Sequence, residues 1–221
     1  MASRQFVVIV AGGSGSRMKA SLPKQFLLLK DTPILAHTLQ KFHATLPQAE
    51  LILVLPKDHF STWKSLCEKY QITVPHLIVE GGNTRFASVK NGIASIPLDS
   101  LVAIHDAVRP LVSSEVILNA FEVANSNGNA IPSLPVEQSL RQISIKGNQH
   151  VNRADFCIIQ TPQVFRSDIL LKAYQAPFQE FFTDDASIVE TLGEKINLIE
   201  GNKENIKITT QEDLHLASYL I

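Results

Sequence analysis

The chain has 221 residues, 45% of them hydrophobic, with 20 Lys and Arg against 21 Asp and Glu for a formal net charge of −1. That length supports one large α/β domain over residues 1–221 with a well-buried core, and the balanced charge excludes the broad basic field that nucleic-acid binding needs. The expected partner is therefore a small anion met by locally placed Lys and Arg, and the two cysteines, Cys67 and Cys157, make no disulfide framework or metal spacing and point to a reducing cytoplasm.

Residues 6–10, Phe-Val-Val-Ile-Val, form a first buried strand, too short for a signal-peptide core or a membrane span. A glycine-rich stretch, residues 11–24, follows directly. A helix is expected over 33–46, with Thr32 as its N-cap and Ile34, Leu35, Leu39 and Phe42 on one face. Residues 51–55 and 76–79 read as strands, and a helix starting near Thr84 carries Phe86, Val89, Ile93 and Ile96. Residues 101–105 are another strand, and a helix after Ser113 stops by Asn127-Gly128.

Residues 130–134 make a fifth strand. The alternation then breaks between about 136 and 165, where 140–145 reads as strand and 146–148 as a turn. That segment is expected to be a hairpin arm inserted in the domain. Residues 196–199 and 205–208 are short late strands, and 211–220 is a closing helix. Short apolar runs alternating with amphipathic stretches give an α/β class, with a mostly parallel sheet covered by helices on both faces.

In the glycine-rich stretch, Gly12, Gly13 and Gly15 let backbone N–H groups approach phosphate oxygens, and Arg17 and Lys24 supply cations at two distances. A dinucleotide fingerprint would need glycine where Met18 stands, and the Gly-Lys-Ser/Thr of a Walker A loop is missing. An ordinary strand-to-helix turn with surface charges remains the alternative. Asp106 falls at the carboxyl end of a strand, where ligands of open α/β sheets bind, and one carboxylate there suits Mg²⁺ shared with substrate phosphates. A plain turn aspartate is the other reading, and Arg109 is either its partner or a phosphate contact. Gly81-Gly82-Asn83, with Ser88 beyond, is a second glycine turn. Lys207 alternates away from Ile206 and Ile208, as a solvated edge lysine also would. An isolated arm would leave Leu140, Ile143 and Ile145 without cover, which pairing with a second copy resolves.

The order strand, G-G-S-G-S-R, L-P-K-Q resembles the N-terminal signature of sugar- and alditol-phosphate nucleotidyltransferases, and specifically the 2-C-methyl-D-erythritol 4-phosphate cytidylyltransferase family of the non-mevalonate isoprenoid pathway. The likeness continues through G-G-N-T-R-F-A-S-V at 81–89, H-D-A-V-R-P at 105–110, V-N-R at 151–153, Q-T-P-Q at 160–163, T-D-D-A-S at 183–187 and N-I-K-I-T at 205–209. The resemblance implies a Rossmann-like nucleotidyltransferase fold, CTP and 2-C-methyl-D-erythritol 4-phosphate as substrates, Mg²⁺, and a cytoplasmic homodimer.

It also implies residue roles. Ala11, Gly12, Gly13, Gly15 and Ala107 would bind the nucleotide, with Gly81, Gly82, Asn83 and Ser88 holding the cytosine. Arg17, Lys24, Arg153 and Lys207 would be catalytic, with Arg153 reaching the site of a neighbouring copy on the arm. Asp106, Arg109, Ser139, Arg153, Thr183 and Lys207 would contact the second substrate, and Asp106 the metal. Asn83 stands where the family pattern has Asp and Ser139 where it has Thr; each keeps hydrogen-bonding capacity. Asp184 and Asp185 read as caps of the next helix, and Cys67, Cys157, Trp63 and the histidines as core or surface. A ribitol 5-phosphate cytidylyltransferase and a non-catalytic nucleotide-binding protein are the competing readings. The segments at 151–153 and 183–187 look more like the methylerythritol enzyme, and Arg17, Lys24 and Asp106 are all present.

Overall fold

A computed structural model of the chain describes residues 3–12 and 22–221. The first apolar run becomes β1 (Arg4–Val10), in which Phe6, Val7, Val8 and Ile9 are all buried, as a strand covered on both faces requires. Leu28–Leu29 (β2) and Thr32–Pro33 (β3) then form a two-residue ladder leading into α1 (Ile34–Thr45). Thr32 is thus not the expected N-cap. It pairs with Leu29, Pro33 holds the cap position without a side-chain bond, and the Ile34 N–H donates to the Leu27 carbonyl at 2.9 Å, so no capping side chain is needed.

Next come β4 (Glu50–Leu55), α2 (Phe60–Lys69), β5 (Leu77–Glu80), α3 (Arg85–Ile93) and β6 (Ser100–Asp106). Thr84 caps α3 by accepting from the Ala87 N–H at 3.0 Å. Ile96, expected on that helix, lies past its end but is still buried. Ser113 caps α4 (Ser114–Asn127) through the Val116 N–H at 3.1 Å, and Gly128, at φ 90°, ends it in a conformation side chains resist.

After β7 (Asn129–Pro135), the segment expected as an arm divides. Only β8 (Leu140–Ser144) and β9 (Gly147–Val151) form a separate hairpin. The chain then returns as β10 (Cys157–Ile159) and β11 (Gln163–Arg166), both antiparallel to β7. Strand β11 inserts between β6 and β7, because Val164 and Phe165 are covered on both sides and belong in the core rather than on a protrusion. Then follow α5 (Ser167–Ala173), α6 (Asp185–Glu190), β12 (Leu198–Glu200) and α7 (Gln211–Leu220). Residues 205–208 form no strand; in place of a ladder, the Ile208 N–H donates to the Val108 carbonyl at 3.0 Å.

The main sheet runs β10-β7-β11-β6-β1-β4-β5, with β12 paired to β7. Alternation along each strand feeds two cores. Val7, Ile9, Leu53 and Ala103 meet α1, α2 and α4 through Leu39, Trp63 and Ile117. Val8, Val54 and Ile104 meet α3, α5 and α6 through Val89, Leu170 and Val189. Strand β1 is parallel to both neighbours, and its last residue, Val10, stands opposite Asp106 on one side and Val54 on the other. Three carboxyl ends therefore coincide where the chain turns away on both sides, the place such sheets bind ligands. Among the described residues no helix is long and apolar enough to cross a membrane.

Candidate active site

Over those strand ends lies a cavity of about 300 Å³, at the lower limit for a small-molecule site, lined by residues of the β1, β6 and α3 ends and of the 205–208 segment. Its floor is backbone. The Ala11 N–H donates to the Val54 carbonyl at 2.9 Å and the Ala107 N–H to the Val10 carbonyl at 3.1 Å. Lys24 and Gln25 sit side by side in a short 3₁₀ turn, and their side chains have different tasks. The buried Gln25 amide donates to the Ala11 carbonyl at 2.9 Å and anchors the start of the glycine-rich stretch. Lys24 lines the cavity and reaches the Ile208 carbonyl at 3.2 Å, bridging that stretch to the late segment.

One wall is the turn after β5. The Gly81 N–H is held by the Leu55 carbonyl at 2.8 Å, and the buried Ser88 hydroxyl closes the turn, accepting from the Gly82 N–H at 3.1 Å and donating to the Gly82 carbonyl at 3.3 Å. Glycine is required at 82 because an added Cβ would collide with Ala87 Cβ. A Cβ on Gly12 would stand 3.5 Å from Ser88 Oγ, so Gly12 and the Gly81-Gly82 turn face one another across that hydroxyl.

The opposite wall is charged. Arg109 Nε lies 3.1 Å and Lys207 Nζ 3.0 Å from the same oxygen, Asp106 Oδ2. Burial alone would raise the Asp106 pKa, but the nearby charges of Lys207, Arg85 and Arg109 outweigh it and hold the carboxyl well below the usual carboxylate range. Asp106 is thus an ionised carboxylate lining the cavity. Among the described residues no group of three or more His, Cys, Asp or Glu side chains gathers around a point. A hard divalent cation held by one carboxylate together with substrate phosphates fits this donor set; an all-protein metal cage does not.

Arg85 also lines the cavity. It grips Asp185 through both carboxylate oxygens, at 2.9 and 2.6 Å, and the Tyr174 hydroxyl donates to Asp185 Oδ1 at 2.6 Å. Burial would lower the Arg85 pKa, yet Asp185 drives it upward, so the guanidinium stays charged. Asp184, not Asp185, caps α6, in a capping box with Ser187. The expectation that both aspartates are caps is corrected on this point: Asp185 is fully buried and serves as the arginine's counter-ion.

The structure brings Ala11, Gly12, Lys24, Gly82, Asn83, Ser88, Asp106, Ala107 and Lys207 to one cavity. Gly81 supports the turn behind it, and Arg109 stands behind Asp106, its side chain 13% exposed and its Nη1 donating to the Asn205 carbonyl at 2.8 Å. Ser139 and Arg153, before and after the hairpin, and Thr183, just before α6, are exposed and do not line it. Gly13, Gly15 and Arg17 lie outside the described residues. Gln25 and Arg85 were missed as site residues although both fall inside motifs that the sequence displays, L-P-K-Q and G-G-N-T-R.

The chain matches the sequence family described as IspD: 2-C-methyl-D-erythritol 4-phosphate cytidylyltransferase, over residues 5–221. A 2-C-methyl-D-erythritol 4-phosphate cytidylyltransferase from Porphyromonas gingivalis is 49% identical over 223 residues, covering 100% of this chain and 99% of that protein. One from Bacteroides thetaiotaomicron is 47% identical over 218 residues, covering 99% and 100%. Among solved structures, 4-diphosphocytidyl-2C-methyl-D-erythritol synthase from Anaerococcus prevotii superposes with a TM-score of 0.83 at 28% identity, covering 98% of this chain and 95% of that one. The Thermus thermophilus cytidylyltransferase superposes with a TM-score of 0.77 at 29% identity, covering 99% and 98%.

Proposed function

The chain belongs to the 2-C-methyl-D-erythritol 4-phosphate cytidylyltransferase family, and on that premise we propose that it joins CTP and 2-C-methyl-D-erythritol 4-phosphate into 4-diphosphocytidyl-2-C-methyl-D-erythritol, releasing pyrophosphate. The observation that carries the reading is the cavity itself. It sets a glycine turn, two lysines and one ionised carboxylate around a space of nucleotide chemistry, in a chain that matches this family almost end to end.

The acceptor phosphate is already an anion, so in-line attack of its oxygen on the α-phosphorus needs no general base. Catalysis then rests on positioning and on stabilising charge. Lys24, with Arg17, meets the charge that builds on the triphosphate oxygens, and Lys207 aligns the attacking phosphate. Each such preorganised contact is worth on the order of 3–4 kcal/mol in the transition state. Gly82, Asn83 and Ser88 receive the cytosine, while Ala11, Gly12 and Ala107 present backbone to the nucleotide. Asp106 would hold Mg²⁺ jointly with the triphosphate, and a bound ion would neutralise phosphate charge there.

Arg153 acts in trans, from the arm of a second copy, with Ser139 beside it. In its own chain Arg153 is exposed, outside the cavity, and donates to the Glu137 carbonyl, while Ile143 and Ile145 on the hairpin are 85% and 107% exposed. Those apolar side chains favour a homodimer through the arm. Thr183 contacts the acceptor, and the enzyme works in the cytoplasm.

A pyrophosphate-release assay crossing CTP, UTP, ATP and GTP with methylerythritol phosphate and ribitol 5-phosphate tests the reading. Release is expected with CTP and methylerythritol phosphate. Release only with ribitol 5-phosphate would move the chain to the pentitol reaction, and release with neither would leave a nucleotide-binding protein.

A further inference from the structure

His105 precedes the metal-side carboxylate and is completely buried, its ring meeting Phe42 edge-on at 4.7 Å. A histidine needed only to fill that space could be an apolar ring, yet both of its nitrogens are engaged. Nε2 lies 3.1 Å from the Arg109 carbonyl and Nδ1 3.0 Å from Thr161 Oγ1. A carbonyl only accepts, so Nε2 carries a proton, and in the neutral ring Nδ1 is then an acceptor. The Thr161 hydroxyl must then donate to Nδ1, which leaves its oxygen free to accept the Asp106 backbone N–H at 3.2 Å. For the neutral ring the polarity of all three bonds follows from one carbonyl.

We infer that His105, with its Nε2–H on the Arg109 carbonyl, is a positioning residue for the transfer reaction, fixing the 105–109 turn so that Arg109 and Lys207 meet Asp106 in working geometry. One ring nitrogen holds the turn at Arg109, four residues on. The other holds it, through Thr161, to the segment between β10 and β11. Asn205 ties the same parts from behind, its side-chain amide donating to the Thr161 carbonyl at 2.8 Å and its own carbonyl accepting from Arg109 Nη1. Arg109 then closes the circuit on Asp106 Oδ2. The imidazole does not line the cavity; it sets where the carboxylate and the guanidinium stand.

This inference rests on the transfer reaction proposed above, so its test has one arm that does not. In the full-length wild-type protein, ¹⁵N-resolved NMR of the His105 ring should show a proton on Nε2 at neutral pH; an Nε2 without a proton would overturn the inference whatever the activity. In steady-state assays His105→Phe, which keeps a ring against Phe42, should lower kcat roughly tenfold or more while KM for CTP moves less than about twofold. His105→Gln, whose amide N–H reaches toward the Nε2 position, should recover part of that loss. Wild-type kcat in His105→Phe, or His105→Gln no better than His105→Phe, would overturn it. Absence of transfer by the wild-type protein would instead count against the proposed function, and the tautomer alone would then decide the role of His105.

Discussion

Replacing Arg85 with methionine keeps an apolar stem of similar length but removes the guanidinium from Asp185. That carboxylate has no solvent exposure, and it loses both arginine bonds while keeping the Tyr174 hydroxyl. Removing one partner of a buried ion pair costs roughly 3–5 kcal/mol, because the surviving charge is left desolvated. The arginine side chain is 30% exposed and one hydrogen bond survives, which favours the lower end, about 3 kcal/mol. For a chain of this size each kcal/mol moves Tm by roughly 2–4 °C, so a fall of about 6–12 °C is expected. Circular-dichroism melts at neutral pH read it directly. The double variant Arg85→Met with Asp185→Leu should recover much of the loss, since no buried charge remains. A single variant melting within about 2 °C of wild type, or a double variant no better than the single, would refute the assignment of Asp185 as a buried counter-ion.

Lys24→Ala should lose on the order of 10²–10³ in kcat with little change in Tm, measured by pyrophosphate release and thermal melts; unchanged turnover would remove Lys24 from the catalytic group. Stability should fall on acidification. Burial lowers the His105 pKa from the ordinary 6.5 to about 4, so between those values the unfolded chain binds a proton that the folded chain refuses. Stability is then lost as pH falls through that window, by on the order of 3 kcal/mol in full, and the depressed Asp106 pKa adds further loss at still lower pH. Melts from pH 7 to 4.5 on metal-free protein should show this slope flattened in His105→Phe. If Arg153 acts in trans, mixing Lys24→Ala and Arg153→Ala proteins should restore roughly a quarter of wild-type activity, since half the dimers would carry one intact site. No restoration after subunit exchange would mean that Arg153 does not complete a neighbour's site.

Much of the central sheet was legible because its strands are covered on both faces and read as unbroken apolar runs, as in β1, β4 and β6. The start of α3 and both ends of α4 were legible for a local reason: Thr84, Ser113 and Gly128 do their capping within a few residues. Helix α2 was not, since Trp63 is its one fully buried residue within a largely polar stretch. Strand β11 was absorbed into the expected arm because its burial depends on β6 and β7, which lie far away in sequence. The site shows the same division. Glycine turns and the strand-end Asp106 can be suspected from local pattern, but the 3.0 Å approach of Lys207 to Asp106 joins distant segments, and only the motif resemblance paired them beforehand. Asp185 looked like a cap beside Asp184 because its true partner, Arg85, stands 100 residues away.

The central claim is that this cavity forms a phosphorus–oxygen bond between CTP and a methylerythritol phosphate, and ³¹P NMR of a reaction containing both with Mg²⁺ observes that bond directly. The account predicts that the monophosphate resonance disappears in step with the appearance of a diphosphate diester and an equal amount of pyrophosphate. Pyrophosphate appearing with CMP while the monophosphate resonance stays unchanged would show hydrolysis of CTP instead of transfer, and would contradict it.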